Sequence, residues 1–280
     1  MTSIEWRCRF GTLRGLQWGE QVKPKVLALH GWLDNAATFS RLAPLLQDVC
    51  VIAPDLPGHG HSDWLGEGAD YAIWSSLEAL YDLLLSVDEP VHLLGHSMGS
   101  AAGMLLAGAF PDRIASYVAL DALGPLTTPP AQAPEQLAKA IMAPVKTTTL
   151  KVHAGAEDAL AARVRQNPEL SPECIWPVVE RNLQSLEGGV GWRTDGRLRA
   201  ISKVRLTEPQ IEAFMAAMNM PALVLRAEQG LIPRAMFDLR IKHLPRATLE
   251  EFPGHHHFHL EESTVTALAA RINHFWQDLA

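Results

Sequence analysis

The sequence predicts an α/β fold: a mostly parallel, doubly wound sheet with helices on both faces, carrying a helical cap inserted after the sixth strand. Three observations predict it. Strand-like apolar runs alternate with helical stretches along most of the 280 residues, the pattern of parallel strands joined by crossover helices. Strand, tight turn and helix follow without a gap at Val91-His92-Leu93-Leu94, Gly95-His96-Ser97-Met98-Gly99 and Ser100 to Ala107. Between the strand-like Ile114–Leu120 and the next such run, Pro221–Arg226, lie roughly ninety residues, far more than an ordinary βα connection holds.

Each element has its own signal. The stretch up to Gly19 reads as a hairpin at the sheet edge. Val26-Leu27-Ala28-Leu29 and Val49-Cys50-Val51-Ile52-Ala53-Pro54 read as buried strands, and both run into turn-rich loops, His30 to Asn35 and Asp55 to Ser62. The long insertion opens with Pro125, Pro129, Pro130 and Pro134, then turns helical over 135–142, 157–165 and 173–183. The expected division is a core of 1–124 and 219–280 with a helical cap of 125–218. Thr248-Leu249-Glu250-Glu251-Phe252 reads as the last strand. The final helix places Val265, Leu268, Ile272, Phe275 and Leu279 on one apolar face.

Composition excludes several classes. The chain is long enough to bury a sizeable core as one catalytic domain with an insertion. A net charge of −7 leaves no electrostatic footprint for nucleic acid. Residues 1–10 have scattered charges and no apolar core of a signal peptide, and no apolar run is long enough to span a bilayer. Three widely spaced cysteines, Cys8, Cys50 and Cys174, suggest reduced thiols and a cytoplasmic setting. The expected partner is a small molecule; the oligomeric state is left open.

The chemistry starts at Ser97. A serine between a strand and a helix, with glycine two before and two after, can sit on a strained turn that exposes its hydroxyl. His30-Gly31-Trp32 after an early strand can point a backbone N–H at a carbonyl under attack, so the N–H groups of Trp32 and Met98 would form an oxyanion hole. Pro253-Gly254-His255-His256-His257-Phe258-His259 supplies histidines after the last strand, where a base belongs in the chain order serine, acid, histidine. Neighbouring histidines on one loop point in different directions and no H-E-x-x-H helix is present, so no metal is expected.

The elbow and the His-Gly turn make the chain resemble the α/β-hydrolase family over nearly its whole length. His30 to Asn35, Asp55 to Ser62, Trp192 to Arg199 and the histidine cluster resemble the serine hydrolase-like branch of that family. The resemblance implies Ser97 as nucleophile and, counting five back from Glu261, His256 as base. The acid departs from the family's commonest pattern, because Gly230 stands where an Asp is expected. Asp121, at the end of the preceding strand, is preferred, as in part of the haloalkane dehalogenase group; Glu228 is the alternative. Trp32, Asp34 and Trp192 are candidate substrate contacts. His30, Asp55 and His59 fit loop-bracing roles.

The implied function is cleavage of small to medium hydrophobic carboxylic esters through an acyl-enzyme, without a cofactor. A non-catalytic binding protein on the same fold, a cofactor-free haloperoxidase-like or dioxygenase-like enzyme, and a carbon–carbon bond hydrolase are the alternatives.

Overall fold

The computed structural model describes residues 1–144 and 151–279, so only 145–150 of the expected cap lie outside it. Along the chain come β1 (Thr2–Cys8), β2 (Gly11–Trp18), β3 (Lys25–Leu29), β4 (Cys50–Pro54), α1 (Leu77–Leu85), β5 (Val91–His96), α2 (Met98–Ala109) and β6 (Ile114–Leu120). The insertion carries α3 (Ala133–Met142), α4 (Ala156–Val164), α5 (Pro172–Asn182), β7 (Leu183–Leu186), β8 (Gly189–Trp192) and α6 (Glu208–Ala217). Then follow β9 (Ala222–Gln229), α7 (Arg234–Arg240), β10 (Ala247–His255) and α8 (Val265–Gln277).

One sheet of eight strands, ordered β1-β2-β4-β3-β5-β6-β9-β10, forms the centre. The edge hairpin β1–β2 is antiparallel and β2 meets β4 antiparallel; every later pairing is parallel. Period-two alternation explains why the central strands read as unbroken apolar runs. On β3, Leu27 and Leu29 enter the cluster that also holds Leu80, Leu105, Ile211 and Phe237, on the face of α1, α2, α6 and α7. Val26 and Ala28 enter the other cluster, with Phe39, Leu268 and Ile272 from the α8 side. Each fully buried leucine of this kind contributes about 2 kcal/mol.

Three expectations need correcting, and one helix lies outside them. The insertion is not helical throughout: β7 and β8 form an antiparallel hairpin, with Leu183 opposite Trp192. Its last helix belongs with the core layer, because Ile211 and Met215 of α6 are fully buried in the α1–α2 cluster. The expected cap boundary at 218 is therefore too late. The helix α7 between β9 and β10 had not been anticipated. Leu279 falls beyond the end of α8 and is 38% exposed, while Trp276 takes the buried place on that face.

The insertion has a small core of its own, Leu170, Cys174, Ile175, Val178 and Val179, against which Trp176 and Trp192 pack. It is tied to the loops at the ends of β3 and β4. Arg181 grips Asp55 through Nε at 3.0 Å and Nη2 at 2.8 Å, and Asn35 Nδ2 donates to the Val178 carbonyl at 2.8 Å. Arg163 of α4 forms an ion pair with Asp34. The three cysteines form no disulfide. Among the described residues no helix is long and apolar enough to cross a membrane.

Candidate active site

Ser97 sits between β5 and α2 with φ 53° and ψ −118°, a conformation that side chains rarely adopt. Its neighbours make the strain possible. A Cβ on Gly95 would overlap the backbone of Ser100, and one on Gly99 would overlap the Leu29 carbonyl. The Ser97 N–H is anchored on the Leu120 carbonyl at 3.0 Å. The result is a half-buried hydroxyl at the head of the helix.

His256 follows the end of β10 and is 7% exposed. Its Nε2 lies 2.9 Å from Ser97 Oγ, and its Nδ1 lies 2.6 Å from Asp121 Oδ2. A carboxylate can only accept, so Nδ1 carries the proton and Nε2 faces the hydroxyl as the acceptor. Asp121 is fully buried with φ 47°. Its carboxylate also accepts from the N–H of Ala227 at 3.0 Å and of Leu231 at 3.3 Å. Glu228 is exposed at the end of β9 and makes no hydrogen bond to His256. The structure thus brings Ser97, His256 and Asp121 together and leaves Glu228 outside.

The two backbone N–H groups expected to face an oxyanion are free. Among the described residues neither Trp32 N–H nor Met98 N–H has an acceptor, the latter because the first helical residue has no intrahelical partner. The Trp32 side chain is 51% exposed and donates from Nε1 to the Leu198 carbonyl at 2.9 Å, joining the loop to the insertion.

The two further candidate substrate contacts, Asp34 and Trp192, are both engaged with protein partners. Asp34 is 1% exposed, and its carboxylate serves Arg163 and His257 rather than open space. Burial opposes its charge, yet Arg163 and then His257 hold its carboxyl well below the usual range. Trp192 packs in the insertion's own core with its ring 5.4 Å from His153, centroid to centroid.

The remaining histidines divide by environment. His255 is half-buried beside Glu261. Burial works against a charge on His257, but Asp34 and Glu169 outweigh it and push its pKa up to about 9. His96 is pushed well below the usual value, by burial first and then by His259 and His256 nearby. His30 braces the turn, its Nε2 accepting from Leu56 N–H at 2.9 Å, and Asp55 accepts from Ala36 and His61 N–H. Sequence reasoning missed Arg163 and Glu169, whose partners are far away along the chain. No local pattern marks such residues.

A family model described as alpha/beta hydrolase fold matches residues 24–263. The chain is 28% identical over 285 residues to a serine hydrolase-like protein of Danio rerio, covering 96% of this chain and 86% of the relative. A solved structure of a hypothetical protein from Pseudomonas aeruginosa PAO1 superposes with TM-score 0.92 at 35% identity, over 99% of this chain and 100% of that one. Another, a thioesterase domain from the curacin biosynthetic pathway, gives TM-score 0.82 at 25% identity, over 97% and 99%. With the model match covering most of the chain and the elbow, sheet and insertion in their places, this protein belongs to the α/β-hydrolase fold family, in its serine hydrolase-like branch.

Proposed function

We propose that this hydrolase cleaves carboxylic esters through an acyl-enzyme on Ser97. The observation that carries the reading is the unbroken chain of hydrogen bonds from Ser97 Oγ to His256 Nε2, 2.9 Å, and from His256 Nδ1 to Asp121, 2.6 Å. His256 takes the hydroxyl proton as Ser97 attacks the carbonyl carbon, and Asp121 holds the ring in the productive tautomer and stabilises the imidazolium. The N–H groups of Trp32 and Met98 receive the tetrahedral oxyanion. The imidazolium then protonates the leaving alcohol, and the same ring activates the water that releases the acid. The exposed Trp32 indole beside the oxyanion loop suits a small to medium apolar ester, and the protonation cycle needs no cofactor.

A thioester is the second reading, favoured by the likeness to a thioesterase domain, and it uses the same residues. Labelling with a fluorophosphonate probe, followed by a matched panel of esters and thioesters of increasing acyl length, tests both. Labelling at Ser97 with faster ester turnover supports the first reading. Absence of labelling in folded protein points to a binding protein instead.

A further inference from the structure

Beside the Ser97–His256–Asp121 chain lies a second buried cluster with no part in it. Asp34 comes from the loop after β3, His96 closes β5 and His257 follows His256. One ligand atom from each lies within 4.8 Å of the others, and the side chains are 1%, 1% and 8% exposed. Two of those atoms, Asp34 Oδ2 and His96 Nδ1, are buried without a hydrogen-bond partner among the described residues and stand 3.9 Å apart.

The tautomer of His96 is fixed by its other nitrogen. Nε2 lies 2.9 Å from the His256 carbonyl, which can only accept, so Nε2 carries the proton and Nδ1 is a bare lone pair. A lone pair and a carboxylate oxygen therefore confront each other in a buried space, where His257 Nε2 approaches the carboxylate and, among the described residues, no donor reaches the His96 lone pair. An unmet buried group costs about 1–3 kcal/mol, and a shared cation would satisfy both at once. His257 Nε2 stands 3.3 Å from the same Oδ2, off the line of a hydrogen bond. Gly31 leaves one side open, since a Cβ there would come within 3.0 Å of His96 Nδ1.

The surroundings are those that orient metal-binding imidazoles. His96 donates to a backbone carbonyl, and His257 Nδ1 has Glu169 at 3.8 Å and Asn167 Nδ2 at 3.5 Å. Asp34 Oδ1 is held by Arg163. Asp34 and Glu169 bring two negative charges, faced by Arg163 and, until a metal displaces its proton, by His257. Two imidazoles and one carboxylate select zinc, cobalt or nickel over calcium or magnesium.

We propose that Asp34 Oδ2, His96 Nδ1 and His257 Nε2 form a site for a divalent transition-metal ion of the zinc type, with water as fourth ligand. Metal–ligand bonds of about 2.0–2.1 Å at tetrahedral angles require the His96–Asp34 gap to close by roughly half an ångström. Binding displaces the Nε2 proton of His257 to solvent, and no redox change is involved. The His96 and His257 rings lie 4.7 and 5.2 Å from that of His256, centroid to centroid. The binding does not rest on the ester-hydrolase reading.

Chelator-treated full-length protein is titrated with Co²⁺, following its visible d–d absorption. The expected result is a band saturating at one equivalent, lost in Asp34→Asn and in His257→Gln, and retained in His255→Gln. Histidine ¹⁵N spectra of the Zn²⁺-loaded wild type require no substitution and should show one ring bound through Nδ1 and one through Nε2. A band that never forms at one equivalent, one that survives in both folded variants, or ¹⁵N shifts without a metallated Nδ1 overturns the site. Metal binding by a protein inert toward every ester sinks the hydrolase reading and leaves the site standing.

Discussion

Asp121 and Gly230 share one place. They stand at the ends of adjacent parallel strands, and a Cβ on Gly230 would overlap the Asp121 carboxylate. The N–H groups of Ala227 and Leu231, both from the β9 end, hold that carboxylate. An acid rooted on β6 thus arrives where an acid rooted after β9 would end.

Asp121→Asn should therefore keep the fold and impair His256, because an amide can stabilise the wrong imidazole tautomer. A fall in turnover of up to about ten-thousand-fold is expected. Glu228→Gln should cost less than about tenfold, or roughly 1.4 kcal/mol of barrier. Steady-state kinetics on the best ester of the panel decide between the two. The exchange Asp121→Gly with Gly230→Asp should recover part of what Asp121→Gly alone loses, and no recovery at all would show that the two strand ends are not equivalent.

Ser97→Ala should abolish probe labelling while circular dichroism stays unchanged, since only a hydroxyl is removed. Ser97→Gly should abolish labelling too and raise the unfolding free energy by about 1 kcal/mol, by releasing the strain at φ 53°. Denaturant melts of the two variants provide the comparison. A glycine variant less stable than the alanine variant would mean that the elbow is unstrained.

Arg163→Met removes the guanidinium from a wholly buried Asp34. It should destabilise the protein by about 2 kcal/mol, because a charged carboxylate loses its closest donor. Adding Asp34→Asn to that variant should restore part of the loss, measured as a non-additive double-mutant cycle in urea. Strict additivity would mean that the pair contributes nothing as a pair.

Asp195 gives the acid limb of stability. It is fully buried and accepts from Tyr71 Oη at 2.8 Å and from Arg197 at 2.7 Å, while its N–H reaches the Gly58 carbonyl. Burial raises its pKa, but Arg197 more than offsets this and the net shift is downward. A carboxyl lowered in the folded state adds stability that is present above the unfolded value of about 3.9 and fades as pH falls through the folded value. Asp195→Asn should thus be less stable than wild type near neutrality, and the difference should shrink in acid. A difference independent of pH would argue against an ionised Asp195.

How much of this was legible in the sequence follows from the range of the interactions. The sheet, the elbow and the insertion after β6 were readable because strand alternation, glycine spacing and connection length are local properties. Ser97 was readable for the same reason: Gly95 and Gly99 must be small where β5 and α2 pass the β3 end. His256 could be picked out by its spacing from Glu261, although their positions do not make them partners; Glu261 bonds the neighbouring His255. Asp121 was preferred over Glu228 in the sequence but not fixed by it, because two strand ends can deliver a carboxylate to one point and the register of β6 against β9 decides which comes near His256. The hairpin β7–β8 escaped because its four-residue strands are too short for alternation to rise above noise. The cluster of Asp34, His96, His257, Arg163 and Glu169 was invisible for a deeper reason. Its members come from four separate segments, and a buried charge acquires its partners only when the chain folds around it.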